Sequence, residues 1–495
     1  MSTPAAPRRT YTLAPPDHSG ALLGLSATTV AGGAIGLVIA VLGAAAGAPA
    51  VGIAAAVVCL AVCTVRLDGA PLVHTLPVRL GWWRRRHSGR HHWSAPPPLA
   101  EGAQAPWPPA LAGQELVSVA TGPGGTELGV VHDRRAGTVS ATLRVAGRHF
   151  GLVGDAEADT AVARWGEALG AFVRERSPVS AVRWSEWAAP AGTAEHLAFI
   201  ARHTHDPGAP AAVAYRELVD EAGPQATRHE VLVTVSVGLG RARDRGAGAL
   251  SAAITTLATE MALFAERLGA AGLGVSAPLS AAEVARAVRS RLDPTALRAM
   301  DRRSTSLGAA AGVVAPHSAG PLATVEDWEW WRADGSFHRS LYVSEWPRMA
   351  MPAAWMGGLL GWSRAVRSVT VVAEPVSPRE SRTTVRRQAT KLASDAEHRA
   401  QRGYLVGADL RRSAEAVAER EEELVSGYRE LTYAGFLTVT APTLAELDGA
   451  CDDLTQVAGA LGVEVRALHG RHPGGVALSL PLGRGLAPPR RWQAR

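Results

Sequence analysis

Imidazole, carboxylate, thiol and lysine side chains do most protein chemistry, and here they are scattered. The tightest group, His203-Thr204-His205-Asp206, offers two imidazoles and a carboxylate to a metal. It runs into Pro207-Gly208, however, and reads as a solvated loop. His229-Glu230 opens a zinc-hydrolase pattern, but Val233 stands where the second histidine must fall, and the segment alternates like a strand. His87, His91 and His92 lie among arginines that repel a cation. A P-loop needs a lysine behind a glycine loop to hold phosphates. The only lysine, Lys391, sits in a helical stretch with no such loop before it, while Gly122-Pro123-Gly124-Gly125 and Val237-Gly238-Leu239-Gly240 read as turns. No Gly-x-Ser-x-Gly occurs, so a nucleophile elbow is missing too. Cys59 and Cys63 lie one turn apart in an apolar segment and Cys451 is remote, which gives no disulfide framework. This inventory points to a chain without catalytic, cofactor-binding or metal residues. A membrane-tethered enzyme, for which His203, His205 and Asp206 would be the residues to mutate, is a second alternative.

The strongest pattern is apolar. From His18 to Val65 there is no Asp, Glu, Lys or Arg. A spanning helix takes about 20 apolar residues, so the run accommodates two, Ala21 to Leu42 and Ala48 to Val65, hinged at the small-residue turn that ends in Pro49. A signal peptide has one short apolar core, which this run exceeds. Arg8 and Arg9 precede it, and Arg66, Arg79, Arg84, Arg85, Arg86 and Arg90 follow. The positive-inside rule then puts both termini in the cytoplasm and the chain in the inner membrane. The formal charge of +6 and pI near 9.7 come from this region, where Asp17 and Asp68 are the only acids before residue 96. Each basic residue beside anionic lipid gains about 1 kcal/mol. Trp82, Trp83, Arg84, Arg85, Arg86, Arg90 and Trp93 therefore read as a membrane-interface tract in contact with anionic lipid.

These readings divide the chain into a cytoplasmic tail (1–20), two transmembrane helices (21–65), a basic and Trp-rich segment with a Pro-rich linker (66–109), α+β domains at 110–320 and 321–486, and a tail (487–495). Strands are expected at Leu116 to Ala120, Leu128 to His132, Thr138 to Val145, Ser180 to Trp187 and His229 to Val237, with helices interleaved. The second half repeats this grammar with strands at Ser336 to Glu345, Val366 to Ala373, Gly435 to Thr440 and Gly462 to Leu468. Between them fall a short helix at Ala353 to Leu360, two consecutive helices reaching Val425, and one at Leu444 to Leu461. Capping boxes mark helix starts at Ser280-Ala281-Ala282-Glu283 and Ser377-Pro378-Arg379-Glu380. The fold class is an α+β cytoplasmic region behind an N-terminal transmembrane helical hairpin. The two consecutive helices suggest a hairpin inserted at a sheet edge. No repeat appears at a fixed period, and the two halves match in style only. The tryptophans at 328, 330, 331, 346, 355 and 362 suit the core of the second half.

Phe337-His338-Arg339-Ser340-Leu341-Tyr342-Val343-Ser344-Glu345-Trp346-Pro347 resembles the strand ending in an aromatic-proline step of the N-terminal, non-motor domain of conjugation-type (type IV) secretion ATPases. In the same order, Glu421-Glu422-Glu423-Leu424-Val425, Phe436-Leu437-Thr438-Val439-Thr440, Ala441-Pro442-Thr443-Leu444-Ala445-Glu446-Leu447 and Leu478-Ser479-Leu480-Pro481-Leu482-Gly483 resemble that domain's hairpin end, following strand, closing helix and terminal segment. With its apolar hairpin and Arg/Trp tract, the chain is similar to a family of two-span actinobacterial inner-membrane proteins of conjugation-like machinery. The resemblance implies an oligomeric structural subunit that docks a separate secretion ATPase and other membrane subunits, with no cofactor and no catalytic residue carried over. The E-type membrane subunit of type VII secretion, similar in plan, is the competing identity.

Overall fold

In a computed structural model the described residues are 11, 27–67, 70–96, 106–121, 126–147, 153–190, 194–223, 227–240, 247–307, 313–401 and 408–484. They fall into two compact units. One holds Met1–Leu13, His92–Arg379 and Arg429–Arg495; the other holds Ala14–His91 and Glu380–Tyr428. The chain starts with helices α1 (Ala27–Ala45) and α2 (Pro49–Thr64), a ribbon of β1 (Arg66–Leu67) and β2 (Ala70–Pro71), and α3 (Leu72–His87). Strands β3 (His92–Ser94), β4 (Gln114–Thr121), β5 (Thr126–Asp133) and β6 (Thr138–Ala146) follow. Next come α4 (Asp155–Gly170), β7 (Val179–Pro190), α5 (Ala194–His203), α6 (Pro210–Ala222), β8 (Thr227–Gly238), α7 (Ala247–Ala270), β9 (Gly274–Pro278), α8 (Ala281–Leu292) and α9 (Pro294–Leu307). The rest is β10 (Ala323–Glu326), β11 (Trp331–Ala333), β12 (Ser336–Glu345), α10 (Gly357–Leu360), β13 (Val366–Pro375), α11 (Pro378–Gln401), α12 (Ala408–Val425), β14 (Leu431–Ala441), α13 (Leu444–Ala460), β15 (Glu464–Ala467) and α14 (His472–Ser479).

Period-two alternation of β-branched residues, clearest in β8 and β13, builds one antiparallel sheet of 13 strands. Its order is β3-β10-β11-β12-β14-β13-β7-β8-β6-β5-β4, with β15 also on β12 and β9 also on β6. The fold is mixed α+β, and residues 110–320 and 321–486 share this sheet through the β7–β13 pair. The consecutive helices α11 and α12 join β13 to β14, neighbours in the sheet interior, so the expected edge insertion is corrected. The short helix expected from Ala353 begins only at Gly357. The Ser280 capping box is formed, and Thr443 caps α13 through the Glu446 amide. The turn at Gly122 to Gly125 and both tails, apart from Tyr11, lie outside the described residues.

A repeat hidden from the sequence organises this sheet. Chain order β4-β5-β6-α4-β7-α5-α6-β8-α7-β9 recurs as β10-β11-β12-α10-β13-α11-α12-β14-α13-β15, with the same strand pairings. Across β6–β8, Ser140 faces Ser236 and Thr142 faces Thr234; across β12–β14, His338 faces Thr440 and Ser340 faces Thr438. At the junction, Ser185 of β7 pairs with Thr370 of β13, flanked symmetrically on both sides, which marks a local twofold axis. Helices α7 and α13 bury equivalent spines on one face: Leu257, Met261, Phe264 and Leu268 in the first, Leu447, Cys451, Leu454 and Ala458 in the second. Both helices end on a glycine at positive φ, Gly272 (86°) and Gly462 (76°).

The opposite face carries α8 and α9 over apolar strand ends and buries Trp331. At its centre the strands present hydroxyls instead. Ser140–Ser236 and Thr142–Thr234 pairs close at 2.9 Å, Ser185–Thr370 and Ser340–Thr438 at 3.1 Å, and His338 Nδ1 meets Thr440 at 2.9 Å. Burial pushes the His338 imidazole down to about 4, so it stays neutral. Such short side chains let backbone lie directly on backbone. Helix α14 and the strap Leu480 to Arg484 cover them, with Leu480 and Leu482 fully buried.

Candidate membrane-facing site

Helices α1 and α2 form an antiparallel pair joined by a turn in which the Ala48 amide donates to Gly43 O at 2.9 Å, Gly47 takes φ 75°, and Pro49 opens α2. Their contact seam is made of small residues. A Cβ on Gly32 would collide with Cys63 Sγ, one on Gly36 would stand 3.3 Å from Ala56 O, and one on Gly43 would stand 2.5 Å from Gly52 Cα. Cys59 Sγ donates to Gly32 O at 3.5 Å across the seam. The large side chains point the other way. Ile35, Leu37, Val38, Val41, Leu42, Val51, Ile53, Val57 and Val58 are exposed, Val51 by 69%. This reverses the packing of a water-soluble helical hairpin, which turns its Ile, Leu and Val inward.

By length and composition, one helix among the described residues is long and apolar enough to cross a membrane: Gly248–Ala270, within α7. That helix spends its large residues on β6 and β8, where Leu257, Met261, Phe264 and Leu268 are buried. At 1.5 Å per residue, α1 reaches about 28 Å and α2 about 24 Å, against a hydrocarbon core of about 30 Å.

Of the seven residues of the basic, Trp-rich tract, Trp82, Trp83, Arg84, Arg85 and Arg86 fall in the last turns of α3. Arg90 lies in the following turn, and Trp93 belongs to β3, opposite Thr324 of β10. Arg86 stacks over the Trp82 ring at 5.3 Å, and Trp83 meets His87 at 4.3 Å. Basic residues here also complement the helix C-terminal dipole. Sequence reading missed the apolar side of α3: Leu76, Leu80 and Trp83, spaced four and three apart, form an exposed stripe. Pro77 inside the helix obscured it; the recurrence of Leu76, Leu80 and Trp83 at helical spacing was the available signal.

The remaining candidates are separated in space or structurally engaged. His203 ends α5, stacked on Phe199, and Asp206 accepts the Gly208 amide at 2.9 Å within its own turn. No group of three His, Cys, Asp or Glu that could hold a metal occurs among the described residues. His229 Nδ1 lies 2.6 Å from Glu186 Oε1, and the buried Glu186 also pairs with the buried Arg367. Burial favours the neutral form of Glu230, but Arg291 and Arg144 outweigh it and hold that carboxyl below its ordinary range. These ion pairs join neighbouring strands and, through Arg291, tie α8 to β8. Tryptophans 331 and 362 are buried, and Trp346 packs edge-on against Trp355 and Tyr433. No protein-family model matches the chain, and no curated protein matches it.

Proposed function

We propose that this chain is a membrane-anchored structural subunit of a conjugation-type secretion apparatus that holds a separate P-loop ATPase at the inner membrane. Helices α1 and α2 cross the bilayer as a hairpin with both termini cytoplasmic. The observation that carries the anchor is the reversed packing of this hairpin, glycine and cysteine inside, Ile, Leu and Val outside. In lipid, small residues bring backbones together by close packing while large ones meet the acyl chains. Helix α3 then lies in the headgroup layer, its Leu76-Leu80-Trp83 stripe toward the acyl boundary and its arginines on anionic phosphates.

The docking role is supported by the order of motifs resembling the non-motor domain of secretion ATPases, which runs from β12 to Gly483 in the strap and so takes in the second repeat from β12 onward. The sequence offers no P-loop of its own. In membrane vesicles, alkaline carbonate should leave the chain bound, and protease should reach the sheet only from the cytoplasmic side. A pull-down from detergent-solubilised membranes should recover a P-loop ATPase, whereas the purified chain should not turn over ATP. Carbonate release or cleavage from the outer side would remove the anchor, and ATP turnover abolished by a point mutation in this chain would remove the adaptor role.

A further inference from the structure

The sheet ends in two different edges. At one, β3 closes β10, with His92, Trp93 and Ser94 opposite Val325, Thr324 and Ala323, and the Ala95 amide donates to Leu322 O at 2.7 Å. At the other, the repeat aligns Ala112 with Leu322, and there the Arg484 guanidinium takes the place of a covering strand, donating to Ala112 O at 3.0 Å and to Ala110 O. Beyond this point the halves diverge. Strand β10 stops at Glu326, where the Asp327 amide turns back to Trp330 O, while β4 continues through Val117-Ser118-Val119-Ala120-Thr121.

Among the described residues, only β5 pairs with this extension. Val117, Ser118 and Ala120 are exposed. Natural edges are guarded by charge, proline, a bulge or shortness. The segment 117–121 has no charged residue and no proline, and its eight-residue strand pairs with β5 without a bulge. Glu127 of β5, opposite Ala120, accepts the Ser118 hydroxyl at 2.6 Å, so the segment itself sets no acidic or basic preference and is self-complementary. In an antiparallel pair centred on Val119, Val117 meets Thr121, Ser118 meets Ala120, and Val119 meets itself. The molecule already joins two like halves this way at Ser185 and Thr370.

We propose that β4 pairs with β4 of a second copy over Val117–Thr121, giving an isologous dimer with one sheet running through both subunits. The exposed pair Ser118 and Ala120 supplies a charge test, its signs set by Glu127 beside both residues. S118E/A120E sets glutamate opposite glutamate twice across the axis, whereas S118E/A120K sets glutamate opposite lysine and leaves that lysine opposite Glu127. For the full chain in detergent, light scattering corrected for the micelle should give two chains per particle for the natural sequence, one for S118E/A120E, and two again for S118E/A120K. A natural chain that is single, a pair that survives S118E/A120E, or an S118E/A120K chain that stays single would each overturn the proposal. Hydrogen exchange at 117–121 that slows only when another protein is added would assign the edge to that partner's strand instead, and would equally overturn self-pairing.

Discussion

Gly483 crosses the hydroxyl face at φ 69°, and a Cβ there would overlap Ser140 Oγ and stand 3.0 Å from Ser236 Oγ. Ser236 Oγ donates to Gly483 O at 3.0 Å, Gln114 Nε2 to Leu482 O at 3.4 Å, and the buried Arg183 to Leu480 O at 3.0 Å and to Arg484 O. Gly483→Ala forces both a strained backbone and a displaced strap, and should cost roughly 1–3 kcal/mol in chemical denaturation. Arg484 closes the strap on Asp133 at 2.9 Å. Burial raises the Asp133 carboxyl, but the Arg484 hydrogen bond and charge, with the Ala136 and Arg135 amides, outweigh it and leave the value lowered. A carboxyl held below its unfolded value of about 4 stabilises the fold above that pH, and the contribution fades as pH falls through the folded value. Asp133→Asn should therefore be less stable than the natural chain at pH 7, and the gap between their denaturation midpoints should close below pH 4.

At the scale of elements, the α1–α2 seam makes a position-specific prediction. Gly43→Leu drives a side chain into Gly52 and should destabilise the hairpin by roughly 1–3 kcal/mol in a detergent unfolding titration. Gly33→Leu, where nothing lies within 4 Å of the added Cβ, should stay within about 0.5 kcal/mol of the natural chain. If α3 binds through headgroup charge and an apolar stripe, a peptide of residues 72–90 should bind anionic vesicles by itself, Arg84→Gln/Arg85→Gln weakening that binding most at low salt and Leu80→Ser weakening it at every salt concentration. Elements with strong local signals were legible in sequence. The Ser280 box, the Thr443 cap and the alternation of β8 each fix an element without help from distant residues. Helix α14 was not legible, because His472-Pro473-Gly474-Gly475 reads as a turn. It is helical where Gly475 lies against Ser340, and a Cβ there would collide with the Ser340 side chain. The short β9 likewise forms because β6 offers its edge past Leu143. Both depend on partners far along the chain. The small-residue seam was visible as composition, but its pairing, Gly32 on Cys63 and Gly43 on Gly52, required the helix register.

At the scale of the whole molecule, the repeat stayed hidden because it conserves spacing and pairing rather than residue identity: His338 stands where the first half has Ser140, and Cys451 where it has Met261. What both halves require is an apolar spine at four-three-four spacing on the helix after β8 or β14, and a glycine to end it. The β7–β13 pair runs seven residues in register from Ala188–Arg367 to Val182–Ala373, so the halves share backbone hydrogen bonds and the buried Glu186–Arg367 ion pair. A domain with its own core unfolds on its own; two halves of one sheet do not. Leu257→Ala and Leu447→Ala remove equivalent, fully buried side chains and should each cost about 2–5 kcal/mol. If the shared sheet governs cooperativity, both variants shift one and the same thermal transition, and tryptophan fluorescence and far-UV circular dichroism follow it together. Two transitions, with Leu257→Ala moving one and Leu447→Ala the other, would mean that the central strand pair is a weak seam between independent domains.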